Sequence, residues 1–98
     1  SMTYTVRFFG VLAMVLGVQS GAPISLELPE GSEYGSALDA IHEKYGDRFP
    51  PSMWDRRKKM FSSGVLAFGD DGRFLPRTRS ASLPQCGEIR FHLPLSGG

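Results

Sequence analysis

The sequence predicts one α+β domain, in which a mixed sheet of four to five strands packs against one main helix. Apolar residues alternate with polar ones near both ends of the chain, which is the period of a half-buried strand, whereas between Gly31 and Gly46 they recur every three or four residues. The chain has 98 residues, too few for two lobes with a site between them. Its 12 glycines and 7 prolines predict many turns around short elements.

The first strand is predicted over residues 4–9, because Tyr4, Val6 and Phe8 alternate with polar residues. Phe9 breaks this alternation and would lie on the polar face, so we expect it to be covered locally or to contact a partner. A short turn of helix or a loop is expected over residues 11–16. The second strand runs over residues 24–28, where Pro29 ends it.

One amphipathic helix is predicted between Gly31 and Gly46. Its apolar positions lie three or four residues apart along one face: Tyr34, Leu38, Ile41 and Tyr45. Ser32 or Glu33 is the expected N-cap, and Gly46 suits the left-handed conformation that ends many helices.

The second half of the chain predicts shorter elements. Residues 49–63 begin with two prolines and favour a loop, with a short helix over residues 52–60 as the alternative. A third strand is expected over residues 65–68, followed by a turn at Asp70, Asp71 and Gly72, and Phe74 and Leu75 form a brief return strand. The last strand places Ile89, Phe91 and Leu93 on one face and Arg90 and His92 on the other.

Composition excludes several classes of function. With 11 basic and 10 acidic residues the net charge is +1, so the broad positive field of a nucleic-acid-binding protein is missing. Nucleic acid is therefore not an expected partner. The apolar segment 8–18 has the length of a signal-peptide core but is too short to span a membrane, so a membrane is not an expected partner either. Ser1, before Met2, is interpreted as the scar of a removed tag. With Cys86 as the single cysteine, no internal disulfide and no zinc spacing exist, which favours a reducing, cytoplasmic setting and predicts no metal site.

The chain ends in Gly97-Gly98. A frayed end explains such a pair, but two residues without side chains can also enter a tunnel too narrow for a β-carbon and deliver a terminal carboxylate into another protein's active site. A carboxylate resists nucleophiles because it is anionic, so it first has to be activated, most simply as an acyl-adenylate. Sulfur or an amine can then displace AMP.

Four segments carry a resemblance to a known family: VRFFG at residues 6–10, LELPEG at residues 26–31, the KYG that ends the helix at residues 44–46, and GEIRFHLPLSGG at residues 87–98. In order and spacing they resemble the MoaD-like small subunit of molybdopterin synthase. That family consists of ubiquitin-like sulfur carriers with the β-grasp fold. The resemblance therefore implies a single β-grasp domain over residues 1–98 with a flexible tail at about residues 94–98.

The resemblance also implies a function. An E1-like adenylating enzyme would use ATP to activate Gly98, and a sulfur donor protein would convert it to a thiocarboxylate. The sulfur would then reach a pterin precursor in the large molybdopterin synthase subunit, for molybdenum or tungsten cofactor biosynthesis. The chain would bind no cofactor and would act as a sulfur-donating subunit or co-substrate without catalysing a reaction alone. The expected partner-binding residues are Phe9, His92, Leu93, Pro94, Ser96 and Gly97.

Departures from that family leave other functions open. The family commonly has Phe-Phe-Pro-Pro where this chain has Phe91-His92-Leu93-Pro94, so a histidine takes the place of the second interface phenylalanine. The alternatives are a carrier for thiamine synthesis, a ubiquitin-like modifier joined to lysines through Gly98, and a binding module with an inert tail. The basic run at residues 56–59 beside Trp54 is typical of a solvated face, although it could dock an acidic partner. Cys86 and His42 are interpreted as bystanders.

Overall fold

The structure, a computed structural model, describes residues 1–94. Its elements in chain order are β1 (Met2–Phe8), α1 (Val11–Leu16), β2 (Pro23–Leu28), α2 (Tyr34–Tyr45), a 3₁₀ turn (Gly46–Arg48), β3 (Trp54–Asp55), β4 (Met60–Phe61), β5 (Leu66–Phe68) and β6 (Glu88–His92). The predicted first, second, third and last strands and the main helix are therefore confirmed.

The main sheet has the strand order β2-β1-β6-β5. β1 pairs antiparallel with β2 and parallel with β6, while β5 pairs antiparallel with β6. A mixed four-stranded sheet that holds one helix on its inner face is the β-grasp arrangement, so the predicted fold class is confirmed. Because β1 and β6 are parallel and central, their carboxyl ends meet at one end of the molecule.

The core lies between the inner face of this sheet and α2. Alternation along β1 and β6 sends Val6, Phe8, Ile89 and Phe91 inward, where each is fully buried. The ring of Phe8 stacks on that of Phe91 with centroids 5.2 Å apart. No charged or polar residue is buried in the described part of the chain, so apolar packing alone supports the sheet and helix.

The helix α2 begins without the expected side-chain cap. Glu33 occupies the N-cap position, but its side chain makes no capping hydrogen bond. Instead, the amides of Tyr34 and Gly35 donate to the carbonyl oxygens of Ala81 and Arg79, at 2.9 and 2.7 Å. The loop before β6 therefore caps the helix, which no pattern near residue 33 could reveal. Gly46 ends the helix as predicted, but with φ 58° and ψ −132°, a positive φ that only glycine adopts readily and not the left-handed helical conformation that was expected.

The predicted loop at residues 49–63 is irregular over most of its length, but it also contains an element that was not predicted, and the alternative of a short helix over residues 52–60 was wrong. The unpredicted element is the small hairpin β3-β4, in which Trp54 pairs with Phe61 and Asp55 with Met60. The Asp55 carboxylate accepts the amides of Arg57 and Lys58 at 2.9 and 3.0 Å, and this closes the turn. The predicted return strand at Phe74 reduces to a single bridge with Phe68.

Candidate functional site: an aromatic row at the end of β6

The candidate site lies on the outer face of the sheet, the face turned away from α2. Since inward and outward positions alternate, β6 directs His92 and Arg90 outward, and the register pairs them with Leu66 and Phe68 of β5. Phe9 follows the end of β1, and its amide donates to the Phe91 carbonyl at 3.1 Å, which places it beside His92.

Four rings lie side by side on this face, and we call them the aromatic row: Phe9, His92, Phe68 and Phe74. The His92 imidazole stacks on Phe9 at a centroid distance of 4.3 Å with planes 12° apart, and on Phe68 at 5.0 Å and 18°. Phe74 meets Phe68 edge to face at 5.5 Å. Stacked and edge-to-face pairs are each worth about 0.5–1.5 kcal/mol, so these rings hold one another in place.

The row is accessible to a partner. Phe74 is 66% exposed, the adjoining Leu66 is 37% exposed, and the other three rings are half-buried. An exposed group of large apolar residues is a common mark of an interaction surface. Phe9 was expected either to be covered locally or to contact a partner. The structure shows local cover, because His92 stacks on the ring, but Phe9 is only half-buried and part of it stays accessible.

His92 behaves as a neutral aromatic residue in this row. Burial, together with the nearby Arg90 cation, lowers the pKa of its imidazole below the ordinary value of 6.5. A neutral imidazole can stack between phenylalanines much as a third phenyl ring would. His92 therefore keeps a flat aromatic ring at the position where the resembled family commonly has its second phenylalanine, although the imidazole nitrogens add a hydrogen-bond donor and acceptor.

An ion-paired group borders the aromatic row, nearer the start of β6. Glu88 accepts Arg7 Nε at 2.9 Å and Arg90 Nε at 2.7 Å, and only 13% of its side chain is exposed. The hydrogen bonds from Arg7 and Arg90 lower the pKa of the Glu88 carboxyl. The outer face thus divides into an apolar part near the end of β6 and a charged part further back along the strand.

The chain leaves the sheet next to the aromatic row. Leu93 follows β6 and packs partly against the core, and a β-carbon on Gly64 would lie 3.2 Å from its Cδ1. Pro94 is exposed. Among the residues expected to bind a partner, Phe9 and His92 contact each other, and Leu93 and Pro94 follow His92 in the chain. Ser96, Gly97 and Gly98 lie outside the described residues.

Sequence reasoning missed Phe68 and Phe74 as members of this site. A signal for them existed, because they flank the turn at residues 70–72 and residues that face each other across a hairpin share one side of a sheet.

Cys86 is exposed, and its Sγ donates to the Glu88 carbonyl at 3.4 Å.

Residues 1–94 hold no group of three or more His, Cys, Asp or Glu residues arranged for a metal ion. No helix in this stretch has the length and apolar character needed to cross a membrane.

Comparison with known proteins supports the fold. No protein-family model matches the sequence, and no curated protein is a significant match. Two solved structures are similar to this chain. The structure of SAMP1 from Haloferax volcanii has a TM-score of 0.75 and 18% sequence identity, and the comparison covers 99% of this chain and 100% of that one. A structure of H. volcanii small archaeal modifier protein 1 has a TM-score of 0.69 and 15% identity, with 97% of this chain and 100% of that one covered. The chain therefore has the β-grasp fold of these ubiquitin-like proteins over nearly its whole length.

Proposed function

We propose that this protein is a ubiquitin-like sulfur carrier whose Gly98 carboxylate is activated by an E1-like enzyme and converted to a thiocarboxylate for molybdopterin-type cofactor biosynthesis. The observation that carries the proposal is the aromatic row beside the strand that leads into the sequence LPLSGG. Only four residues follow Pro94 up to Gly98, so a partner that binds the row could receive the Gly98 carboxylate in a nearby active site. The similarity in fold to the small archaeal modifier protein supports a carrier or modifier.

The chemistry follows from the terminal carboxylate. A carboxylate oxygen of Gly98 attacks the α-phosphate of ATP, and pyrophosphate leaves. Sulfide delivered by a sulfur donor protein then attacks the acyl carbon, so a C–S bond forms while the C–O bond to AMP breaks. The thiocarboxylate is a better nucleophile than the carboxylate and transfers its sulfur in the active site of the large synthase subunit.

Protein modification is the second candidate, and the name of the similar archaeal protein favours it. It requires the same adenylation of Gly98 but ends with a lysine amine in place of sulfide. The two functions therefore differ only in what displaces AMP, and both need the docking surface.

The first test measures the intact mass of the chain after incubation with ATP, a sulfide source and the E1-like enzyme of its host. A gain equal to the exchange of one oxygen for sulfur, absent in a variant lacking Gly98, supports the carrier. If the enzyme is active on another carrier but leaves this chain unchanged, the proposal fails. Conjugates carrying residues 91–98 on a lysine after trypsin digestion, which cuts after Arg90, would instead support the modifier.

A second test separates docking from chemistry. Phe74→Ala removes an exposed member of the row, and we expect it to slow adenylation by raising the carrier concentration that the enzyme needs. Met14→Ala is the matched control, because Met14 is 78% exposed but lies on α1, outside the row. Equal effects of the two substitutions would contradict docking at the aromatic row.

A further inference from the structure

A second surface lies on the opposite layer of the molecule, between α2 and the hairpin β3-β4. A cleft of about 240 Å³ opens there. Asp39, His42 and Glu43 of α2 form one wall, Arg56 and Lys59 of the hairpin form the other, and Trp54 contributes from below. The volume is below the roughly 300–1,000 Å³ of ordinary small-molecule sites, so it suits one inserted side chain better than a cofactor.

Stacked rings hold the cleft in shape. The His42 imidazole lies parallel to the Trp54 indole, with planes 3° apart and centroids 5.6 Å apart. On its other side Trp54 stacks on Phe49 at 6.0 Å, and Phe61 meets it edge to face at 5.0 Å. An apolar side chain that entered the cleft would therefore meet a preformed surface, which lowers the entropy lost on binding.

Polar contacts fix the basic hairpin at the rim. Arg79 bonds both carboxylate oxygens of Asp39 at 2.9 Å and donates to the Lys59 carbonyl at 2.8 Å, which ties the hairpin to α2. Arg56 pairs with Asp47 at 3.0 Å. Lys59 has a positive φ of 54° in the turn of the hairpin, and all four basic residues at positions 56–59 are exposed.

Positive charge predominates at the rim, although the Glu43 carboxylate also lines the cleft and forms no ion pair within residues 1–94. Asp39 and Asp47 are already paired with arginines, whereas within residues 1–94 the side chains of Arg57, Lys58 and Lys59 form no ion pair. The run at residues 56–59 carries four positive charges in a chain of net charge +1, so the remainder of the chain carries −3. The hairpin is thus the positive pole of the molecule.

We propose that this cleft binds a short acidic peptide segment of a partner protein. One apolar side chain of the segment enters against His42 and Trp54, and flanking carboxylates meet Arg57, Lys58 and Lys59. A nucleic-acid backbone fits less well, because outside residues 56–59 the chain carries a net charge of −3 and lacks the broad positive field that a run of phosphates needs. Since the cleft and the aromatic row lie on different layers, a partner can hold the carrier here while another acts on its terminus.

The test uses the full chain and two synthetic peptides, acetyl-Glu-Glu-Leu-Glu-Glu-amide and its glutamine counterpart. Trp54 is the only tryptophan, so its fluorescence and its single indole N–H resonance report on the cleft without ambiguity. We expect the acidic peptide to shift both signals with a Kd below about 1 mM, and the glutamine peptide to shift neither.

Two double variants with the same net charge separate a local site from general attraction. Arg57→Glu with Lys58→Glu changes the hairpin, and Lys44→Glu with Arg73→Glu changes exposed cations elsewhere. Each reversal removes two charge units, so both variants carry −3. We expect the hairpin variant to bind the acidic peptide about tenfold more weakly and the control variant less than about threefold more weakly.

Four results would overturn the proposal. These are equal weakening in the two variants, equal binding of the two peptides, no response of Trp54 up to about 1 mM peptide, and tighter binding of a short oligothymidylate with the same dependence on the hairpin cations. The last result would assign the cleft to nucleic acid. None of these outcomes depends on Gly98, so the proposed function is tested separately.

Discussion

Replacing Gly21 with alanine is expected to disturb the aromatic row without removing any of its rings. Gly21 has φ +79°, and a β-carbon there would lie 3.1 Å from Cε1 of Phe9. The left-handed backbone costs an alanine about 1–2 kcal/mol. In addition the Phe9 ring has to move by a few tenths of an ångström, which weakens its stack on His92 at 4.3 Å and costs up to about 0.5–1.5 kcal/mol.

Gly31→Ala is the matched control for this substitution. Gly31 has nearly the same φ, +77°, but a β-carbon there meets nothing within 4 Å. Both variants share the backbone strain, so the difference between them isolates the contact with Phe9. We expect Gly21→Ala to lower the free energy of unfolding by about 0.5–1.5 kcal/mol more than Gly31→Ala does.

Urea denaturation measures this difference in stability, and the imidazole proton resonances of His92 measure the change in the stack. The chain has two histidines, so their resonances can be assigned by substitution of His42. Equal losses of stability, with unchanged His92 resonances in Gly21→Ala, would refute the inference that Gly21 confines the Phe9 ring.

Two further predictions concern stability. The free energy of unfolding is expected to fall as the pH drops below 6.5, because folding favours neutral His92, and to fall again below 4.5, because the arginine hydrogen bonds favour ionised Glu88. Urea unfolding at a series of pH values measures both losses of stability. We expect His92→Phe to remove the loss below pH 6.5 and Glu88→Gln to reduce the loss below pH 4.5. A stability that rises on acidification would contradict the assignment of these losses to His92 and Glu88. Gly35→Ala is expected to lower stability by about 1 kcal/mol despite the better helix propensity of alanine, because the new β-carbon would lie 3.1 Å from the Arg79 carbonyl oxygen that caps the helix. Thermal denaturation checks this against Ser36→Ala, for which a change within about 0.5 kcal/mol is expected, and a Gly35→Ala variant more stable than the natural chain would show that the loop yields freely.

The site was predicted from the sequence only in part. Phe9 was predicted as a candidate contact residue, because it breaks the alternation that Tyr4, Val6 and Phe8 follow, and a few neighbouring residues suffice to show such a break. Phe68 did not, because its outward direction depends on its pairing with Arg90 across the sheet. The expected roles of Gly97 and Gly98 remain predictions, since those residues lie outside the part of the chain that the structure describes.

The hairpin β3-β4 shows why other local predictions fail. Pro50 and Pro51 indicate a loop, and the polar run at residues 55–59 shows no strand alternation. The two short strands form because Trp54 and Phe61 bury their rings against the helix and core, a stabilisation that outweighs weak local preferences.

The sequence by itself determined the succession of strands and helix and which face of each is apolar, because side-chain periodicity reflects local backbone geometry. Only the tertiary structure decided that the ends of β1 and β6 lie side by side, which stacks Phe9 on His92 although they are far apart in the chain. The same holds for the Arg79 loop that caps α2, because contacts between distant segments depend on how the whole sheet closes around its core.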